Sequence, residues 1–310
     1  MKEKQLEAVL GEVKKAVVGK DDCIEMVLCA FLAGGHVLIE DIPGVGKTTM
    51  ARAFAKALDL TSTRVQFTPD VLPTDLTGFY LYDRDGKEAQ FHPGAVFCNL
   101  LLADEINRTS PKTQSALLEV MEEGMVTIEG RTRRLEPPFF VLATQNPAGS
   151  IGTALLPESQ MDRFMIQIRM GYPTREEEIR ILQNKRKEKQ AEIFPALTKT
   201  QFIELQRKTG EVYVHSLIYD YLVRLIGQTR EHPMAALGCS PRASVAGVRM
   251  AQARAFFEGR DFVTPGDVQK IFPAVAGHRI LLNARARMNQ VSVDTVVGEI
   301  LRQVKKPKES

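Results

Sequence analysis

The segment 37–49, VLIEDIPGVGKTT, constrains the fold of this chain more than any other stretch. Val37, Leu38 and Ile39 form a short apolar run that is typical of a buried strand. Residues 43–49 follow as a glycine turn ending in Gly-Lys-Thr-Thr, and the next residues, MARAFAKAL, have the apolar spacing of a helix. A strand, a glycine turn and a helix in this order are the context of a phosphate-binding loop.

The loop is predicted to bind phosphate through its backbone and two side chains. Gly44 and Gly46 allow close approach of the backbone and let successive N–H groups point inward. A helix that starts near Lys47 adds its positive dipole end. Lys47 would reach the β- and γ-phosphates, and the Thr48 hydroxyl would bind Mg²⁺. The full set of predicted contacts in this loop is Pro43, Gly44, Val45, Gly46, Lys47, Thr48 and Thr49.

One residue departs from the general phosphate-loop pattern, which has its first glycine where this chain has Asp41. Aspartate adopts unusual turn dihedrals more readily than most residues, so we expect the loop to tolerate it. A dinucleotide-binding pattern is excluded, because its third glycine would fall at Met50. Taken alone, the segment still allows a glycine turn that merely enters a core helix.

Length and composition indicate a globular protein without a membrane span. The chain has 310 residues, enough for two domains or one large domain, and 44% of them are hydrophobic. No apolar run approaches the roughly 18 residues that a membrane span needs, and the charged N-terminus is not typical of a signal peptide. We therefore expect a cytoplasmic protein that does not insert into membranes.

The cysteines and the net charge argue against two further classes of site. No two of the four cysteines form a CxxC pair, which favours reduced core thiols over metal ligands. The net charge of +3 is too small to indicate a nucleic-acid-binding protein.

A second candidate nucleotide contact precedes the phosphate loop. Residues 1–33 are predicted to form two helices separated by Val17-Val18-Gly19-Lys20. The backbone at Val18 and Gly19 could touch an adenine ring, although a plain connection between helices explains the turn equally well.

Two later strands are predicted to place polar side chains beside the loop. The strand 99–105, NLLLADE, ends in Asp104 and Glu105 and matches a Walker B motif. Asp104 would hold Mg²⁺ through water and Glu105 would orient the attacking water, unless the pair is only a solvated acidic turn. The strand FFVLAT, residues 139–144, leads to Asn146, which could polarise water near the γ-phosphate or simply form an Asn-Pro turn.

Two hairpins interrupt this α/β pattern. Asp85-Gly86 lies between FYLYDR and KEAQF, and Glu129-Gly130 lies between two short extended runs after the helix KTQSALLEVMEE. Three arginines, Arg131, Arg133 and Arg134, give the second hairpin a basic edge. Such a hairpin would face the pore of a ring, or would be a solvated edge strand in a monomer.

Beyond residue 172 no strand is predicted. Helices are expected near 175–189, 200–209, 217–231, 241–258, 265–279 and 293–304. Ser240 caps the fourth, Pro241 opens it, and Arg242 lies in its first turn, where a cation opposes the helix dipole. This indicates an anionic partner such as a phosphate, or else a surface salt bridge.

Taken together, DIPGVGKT, LLLADEINRTSPKTQSALLEVMEE, ATQNP, LPESQMDRF and GCSPRA resemble the MoxR family of AAA+ ATPases, over residues 1 to about 282. The resemblance implies an α/β P-loop core with a parallel sheet flanked by helices, residues 1–171, followed by an all-helical lid, residues 172–310. It also implies a helix-2 insert at about 68–95, a pre-sensor hairpin at about 125–136, and a ring, expected to be a hexamer.

The resemblance also implies roles for individual residues. Lys47 and Thr48 match Walker A, Asp104 and Glu105 match Walker B, Asn146 matches sensor 1, Arg163 the arginine finger and Arg242 sensor 2, with Arg108 a weaker candidate for an inter-subunit contact. The expected cofactors are ATP and Mg²⁺. The expected partners are a client protein and a protein with a von Willebrand factor A domain.

Two other functions stay open from the sequence. One is a scaffold that ATP assembles, with incidental hydrolysis, although such a protein has no need of Glu105. The other is a nucleic-acid motor, which the basic hairpin allows and the small net charge disfavours.

Overall fold

The computed structural model describes residues 2–42, 44–82, 89–146, 156–186 and 192–307. Its centre is a five-stranded sheet of β1 (Val37–Glu40), β2 (Ser62–Gln66), β5 (Leu100–Asp104), β8 (Phe140–Gln145) and β9 (Ile166–Ile168). The strands lie in the order β2-β5-β8-β1-β9, and every neighbouring pair is parallel. The predicted parallel sheet flanked by helices is confirmed.

The side chains of the central strands alternate between two hydrophobic cores. In β5, Leu100 and Leu102 belong to one core, and Leu101 and Ala103 belong to the other. The first core holds α1 (Lys2–Ala16), α2 (Asp21–Leu32) and α3 (Lys47–Ala57), and the second holds α4 (Pro73–Thr77) and α5 (Pro111–Glu123). Burial on both faces explains why these strands read as continuous apolar runs.

Helix α5 begins and ends where the sequence predicts. The Ser110 hydroxyl accepts a hydrogen bond from the amide of Thr113 (3.3 Å), and Gly124 ends the helix in the left-handed region at φ +62°. A parallel sheet needs such a crossover helix to return the chain from one edge to the other. The C-terminus of α5 therefore lies at the edge of the sheet where the strands begin.

Both predicted hairpins are antiparallel strand pairs. The first pairs β3 (Phe79–Tyr82) with β4 (Ala89–His92), and its Asp85-Gly86 turn lies outside the described residues. The second pairs β6 (Met125–Ile128) with β7 (Arg131–Arg134).

The two hairpins pack against each other through cations and rings. The Arg133 guanidinium lies 4.1 Å from the centre of the Phe91 ring, and its Nε donates to the Tyr80 hydroxyl at 3.1 Å. Arg131 lies 4.9 Å from the centre of the Tyr80 ring. Two of the three arginines on the predicted basic edge are thus engaged within the chain.

The second part of the chain is mainly helical, in agreement with the predicted lid. Its helices are α7 (Arg175–Arg186), α8 (Lys199–Gly210), α9 (Ser216–Glu231), α10 (Pro241–Phe257), α11 (Pro265–Ala276), α12 (Ala284–Met288) and α13 (Val293–Gln303). The expectation of no strand here is wrong, because β10 (Ala235–Leu237) pairs antiparallel with β11 (Leu281–Leu282). Strands of two and three residues are too short to produce a recognisable alternation. The boundary near residue 172 stays a prediction.

A buried ion pair attaches this helical part to the core. α6 (Glu158–Met161) leads to Asp162, whose carboxylate accepts from Arg279 Nε at 2.7 Å and from the Ser240 hydroxyl at 2.7 Å. Arg279 also donates to the backbone carbonyls of Phe164 and Met165 at 2.6 and 3.2 Å. Its side chain is 2% exposed, and burial lowers its pKa while Asp162 opposes that shift.

We predict that Arg279→Ala lowers the free energy of unfolding by about 3–5 kcal/mol, because it removes the cation that neutralises the Asp162 carboxylate and a donor to several backbone carbonyls. Denaturant unfolding measures the change. The matched control is Arg224→Ala, which removes an exposed pair with Asp220 and should change stability by less than about 1 kcal/mol. A loss of stability for Arg279→Ala as small as that of the control would contradict the attachment of the helical part through this ion pair.

Candidate nucleotide-binding site

The carboxyl edge of the sheet, where the parallel strands end, collects the predicted site. β1 leads into the phosphate loop, β5 ends at Asp104 and is followed by Glu105, and β8 is followed by Asn146. β5, β8 and β1 are direct neighbours in the sheet. Three segments far apart in sequence therefore meet at one edge, as ligand sites of parallel sheets do.

The phosphate loop has the backbone geometry that its glycines predict. Gly44 and Gly46 have φ of +89° and +98°, values that favour glycine. Gly46 is the residue before α3 and no side chain caps that helix, so its first amides are available to an anion. Val45 and Thr48 are half-buried and Thr49 is exposed, whereas Pro43 lies outside the described residues.

Lys47 is buried at the mouth of the loop, where its Nζ donates to the backbone carbonyl of Asp41 at 2.7 Å. Burial lowers the pKa of this ammonium, and the nearby carboxylates of Asp104, Asp41 and Glu105 act in the opposite direction. A phosphate that binds here must take Lys47 from the Asp41 carbonyl.

Asp104 is held by two partners on neighbouring strands. Its Oδ1 accepts from the Thr144 hydroxyl at 2.6 Å, and its Oδ2 forms an ion pair with Arg64 Nη2 at 2.8 Å. Sequence reasoning missed both. Arg64 follows no motif, but it lies on β2, which the sheet order places beside β5.

Glu105 lies just past the end of β5 in a left-handed conformation, φ +57° and ψ +49°, which is unusual for glutamate. Its Oε1 accepts from Asn146 Nδ2 at 3.2 Å, and its Oε2 pairs with Arg108 Nη1 at 2.7 Å. The predicted catalytic glutamate and the predicted sensor 1 amide are thus in direct contact. Arg108, expected at a subunit interface, is engaged with Glu105 of its own chain.

The residues at this edge fit a nucleotide with Mg²⁺. The side-chain oxygens of Gln145 and Asn146 are buried without a hydrogen-bond partner, so each can accept from a bound water or ligand. The Thr48 hydroxyl and the Asp104 carboxylate offer the oxygen ligands that Mg²⁺ prefers. Among the described residues, no group of three or more His, Cys, Asp or Glu could hold a metal. Mg²⁺ commonly binds through one or two protein groups plus substrate phosphates.

A cavity of about 710 Å³ opens at the predicted adenine contact. Val18, Gly19, Met170, Glu177 and Arg180 line part of it. The cavity has the size of a small-molecule site. Gly19 has φ +68°, and the Glu177 carboxyl lies where a β-carbon of Gly19 would be, at 1.9 Å from that position. A larger residue at position 19 would be strained by the positive φ and would displace the end of the Glu177 side chain.

Arg163 and Arg242 lie together at the opposite, amino edge of the sheet, and we call them the arginine pair. Both contact Glu122 at the end of α5, Arg163 at 3.3 Å. The neighbouring Met121 carbonyl accepts from Nε2 of His36, the residue just before β1. Strands of four to six residues span roughly 13–20 Å, so the arginine pair is not brought to the phosphate loop of its own chain.

None of the described helices is long and apolar enough to span a bilayer.

Comparison with known proteins places these features in one family. Residues 36–166 match the model of the ATPase family associated with various cellular activities (AAA), and residues 227–300 match that of the AAA lid domain. The chain is 46% identical to the uncharacterised protein YeaC of Bacillus subtilis, over 98% of this chain and 97% of YeaC. It is 40% identical to Chaperone MoxR1 of Mycobacterium tuberculosis, over 97% of this chain and 82% of MoxR1.

The fold has a close match among solved structures. The crystal structure of a Cytophaga hutchinsonii protein, described as a candidate ATPase, superposes with a TM-score of 0.92 at 36% identity. The match covers 99% of this chain and 96% of that one. Sequence motifs, sheet order and relatives agree, and the chain belongs to the MoxR family of AAA+ ATPases.

Proposed function

We propose that the chain hydrolyses ATP at a site completed by the neighbouring subunit of a ring, and that this cycle remodels a client protein. One observation carries the proposal. The groups suited to phosphate and water lie at the carboxyl edge of the sheet, whereas the arginine pair lies at the amino edge. A second copy that brings its amino edge to this carboxyl edge would complete the site.

The chain's own residues bind and orient the triphosphate. Lys47 exchanges the Asp41 carbonyl for β- and γ-phosphate oxygens, and the amides at the start of α3 bind the same phosphates. Thr48 and Asp104 would hold Mg²⁺, which supplies positive charge at the phosphates when bound. Asp104 must first release Arg64 to be free for this role.

Glu105 and Asn146 act on the water that attacks the γ-phosphate. Both carboxylate oxygens of Glu105 are engaged, one by Asn146 and one by Arg108, so the contacts described are those of a resting site. Release of one oxygen lets Glu105 accept a hydrogen bond or a proton from the water. Asn146 retains a free side-chain oxygen with which to position that water.

The neighbouring subunit supplies the arginine pair to the developing charge on the γ-phosphate. An arginine delivered in this way is worth ~10³–10⁵ in rate, or about 4–7 kcal/mol. Both side chains are partly exposed, at 31% for Arg163 and 48% for Arg242, so an adjacent subunit can reach them. Since the lid carries Arg242, hydrolysis in one subunit would act on the lid of the next.

Family membership supports the wider features of the proposal. We propose a hexameric ring in the cytoplasm, where the four free cysteines would remain reduced. The name of the relative MoxR1 includes "chaperone", in keeping with a client protein. We propose a partner with a von Willebrand factor A domain, and the packed hairpins β3–β4 and β6–β7 as the elements that contact the client.

The two alternative functions are less well supported. The contact between Glu105 and Asn146 is suited to positioning a water, which a scaffold does not need. A nucleic-acid motor would use the basic hairpin, but Arg131 and Arg133 stack on rings of the adjacent hairpin.

We predict that Glu105→Gln binds ATP with near-normal affinity and turns it over at least ~10²-fold more slowly, because the amide cannot accept the proton. Calorimetric titration measures binding and phosphate release measures turnover. Glu119→Gln, an exposed position on α5, is the control and should match the native protein. ATP turnover by Glu105→Gln at a rate close to that of the native protein would show that Glu105 does not activate the attacking water.

We predict that turnover per subunit rises with protein concentration to a plateau at saturating Mg-ATP, because assembly delivers the arginine pair. Arg163→Ala should bind ATP but remain near the low rate of dilute protein at every concentration. Arg224→Ala, an exposed arginine on α9, should follow the native curve. A chain that sizing shows to be monomeric and that hydrolyses ATP at the plateau rate would contradict the shared site.

A further inference from the structure

Asp41 is the residue that sets this phosphate loop apart from the general pattern, and the catalytic scheme gives its side chain no task. It is buried, with 7% of its surface exposed. Both carboxylate oxygens accept hydrogen bonds, and all the donors are backbone amides. Oδ1 accepts from Ile42 at 2.9 Å, and Oδ2 accepts from Met170 at 2.7 Å and Gly171 at 2.6 Å.

Two of these amides belong to the segment that connects β9 to α7, residues 169–174, which we call the linker. Gly171 has φ +65°, a left-handed conformation at which the chain changes direction. The linker is also attached to the turn before α2, because Lys20 Nζ donates to the Tyr172 carbonyl at 2.9 Å. The first residues of α7 then reach the cavity, where Glu177 covers Gly19.

The backbone of Asp41 contacts the other side of the site. Its carbonyl accepts from Lys47 Nζ at 2.7 Å, and its amide donates to the carbonyl of Gln145 at 3.2 Å. Gln145 is the residue before Asn146. Asp41 thus joins the phosphate-binding lysine, the strand that carries Asn146, and the linker toward the lid.

We propose that Asp41 is a positioning residue that couples occupation of the phosphate loop to the position of the linker. A bound phosphate takes Lys47 from the Asp41 carbonyl, and the carbonyl then loses its charged donor. The peptide group at Asp41 reorients, and its carboxylate carries the amides of Met170 and Gly171 with it. Through the linker, α7 and the cavity wall move with the nucleotide. The inference rests on the proposed binding of ATP.

The competing explanation is that Asp41 has a purely structural role. In that case the carboxylate would stabilise the fold, and its loss would lower the melting temperature without affecting any change that nucleotide causes in the linker. The test must therefore measure the change that nucleotide causes in the linker, and not stability alone.

The chain contains no tryptophan, so one introduced tryptophan reports on the linker without background. Tyr172 follows Gly171 and is 77% exposed, and its backbone carbonyl accepts from Lys20 Nζ. Tyr172→Trp is the parent for the experiment. Emission is recorded with and without Mg-ATP and Mg-ADP, and nucleotide affinity is measured separately by calorimetry.

Two variants remove the proposed coupling in this parent. Asp41→Asn keeps the size of the side chain but cannot accept from all three amides. Asp41→Gly restores the residue that the general phosphate-loop pattern has at this position, so the loop should still form. The control is Glu40→Gln, since the Glu40 carboxylate touches the same region only through the side chains of Gln167 and Arg169.

We expect nucleotide to change the emission of the parent and of Glu40→Gln by the same amount. In both Asp41 variants nucleotide should still bind, and the emission change should fall several-fold. An unchanged signal in the variants, a parent that binds nucleotide without any emission change, or variants that fold but do not bind nucleotide would overturn the coupling. Failure of both variants to fold would also overturn the coupling, in favour of a purely structural role for Asp41. A parent that binds no nucleotide would instead contradict the proposed function.

Discussion

The parallel hydrogen bonding of the five-stranded sheet is the constraint on which the other features depend. Because every strand runs the same way, the sheet has two chemically different edges. The carboxyl edge collects Lys47, Asp104, Glu105 and Asn146 from separate segments. Crossover helices must return the chain to the amino edge, and α5 brings Glu122 there, where it meets the arginine pair. This separation of the two groups is the basis of the proposed catalytic site divided between two copies of the chain.

Each charged group of the site has an internal partner in the resting chain. Lys47 binds a backbone carbonyl, Asp104 pairs with Arg64, and Glu105 contacts the Asn146 amide. Such pairing is expected, because a buried charge without a partner is costly. In the proposed cycle, nucleotide and the neighbouring subunit would replace these existing contacts with new ones, and each replacement could move the element that carries the released partner. The proposed role of Asp41 is one instance of this exchange.

The sequence predicted the sheet, the loop, α5 and both hairpins, because each has a local pattern of buried runs, caps or turn glycines. It missed β10 and β11, whose few residues show no periodicity. It also missed Arg64 and Glu122, because these groups acquire their partners from strand order and from the direction of α5, which no local pattern encodes. The position of Arg242 depends on how the lid docks through Asp162, a long-range contact that could be seen only in the fold.

The most direct test of the shared site is a mixture of two inactive variants. On this account, Glu105→Gln cannot activate water at its own phosphate loop but keeps the arginine pair. Arg163→Ala keeps Glu105 and the phosphate loop but lacks one arginine of the pair. If the site is shared, rings assembled from both contain some complete interfaces, and the mixture hydrolyses ATP faster than the sum of the separate proteins. Glu105→Gln mixed with the double variant carrying both substitutions should stay inactive. Mixed rings no more active than that sum would contradict a site completed by the neighbouring subunit.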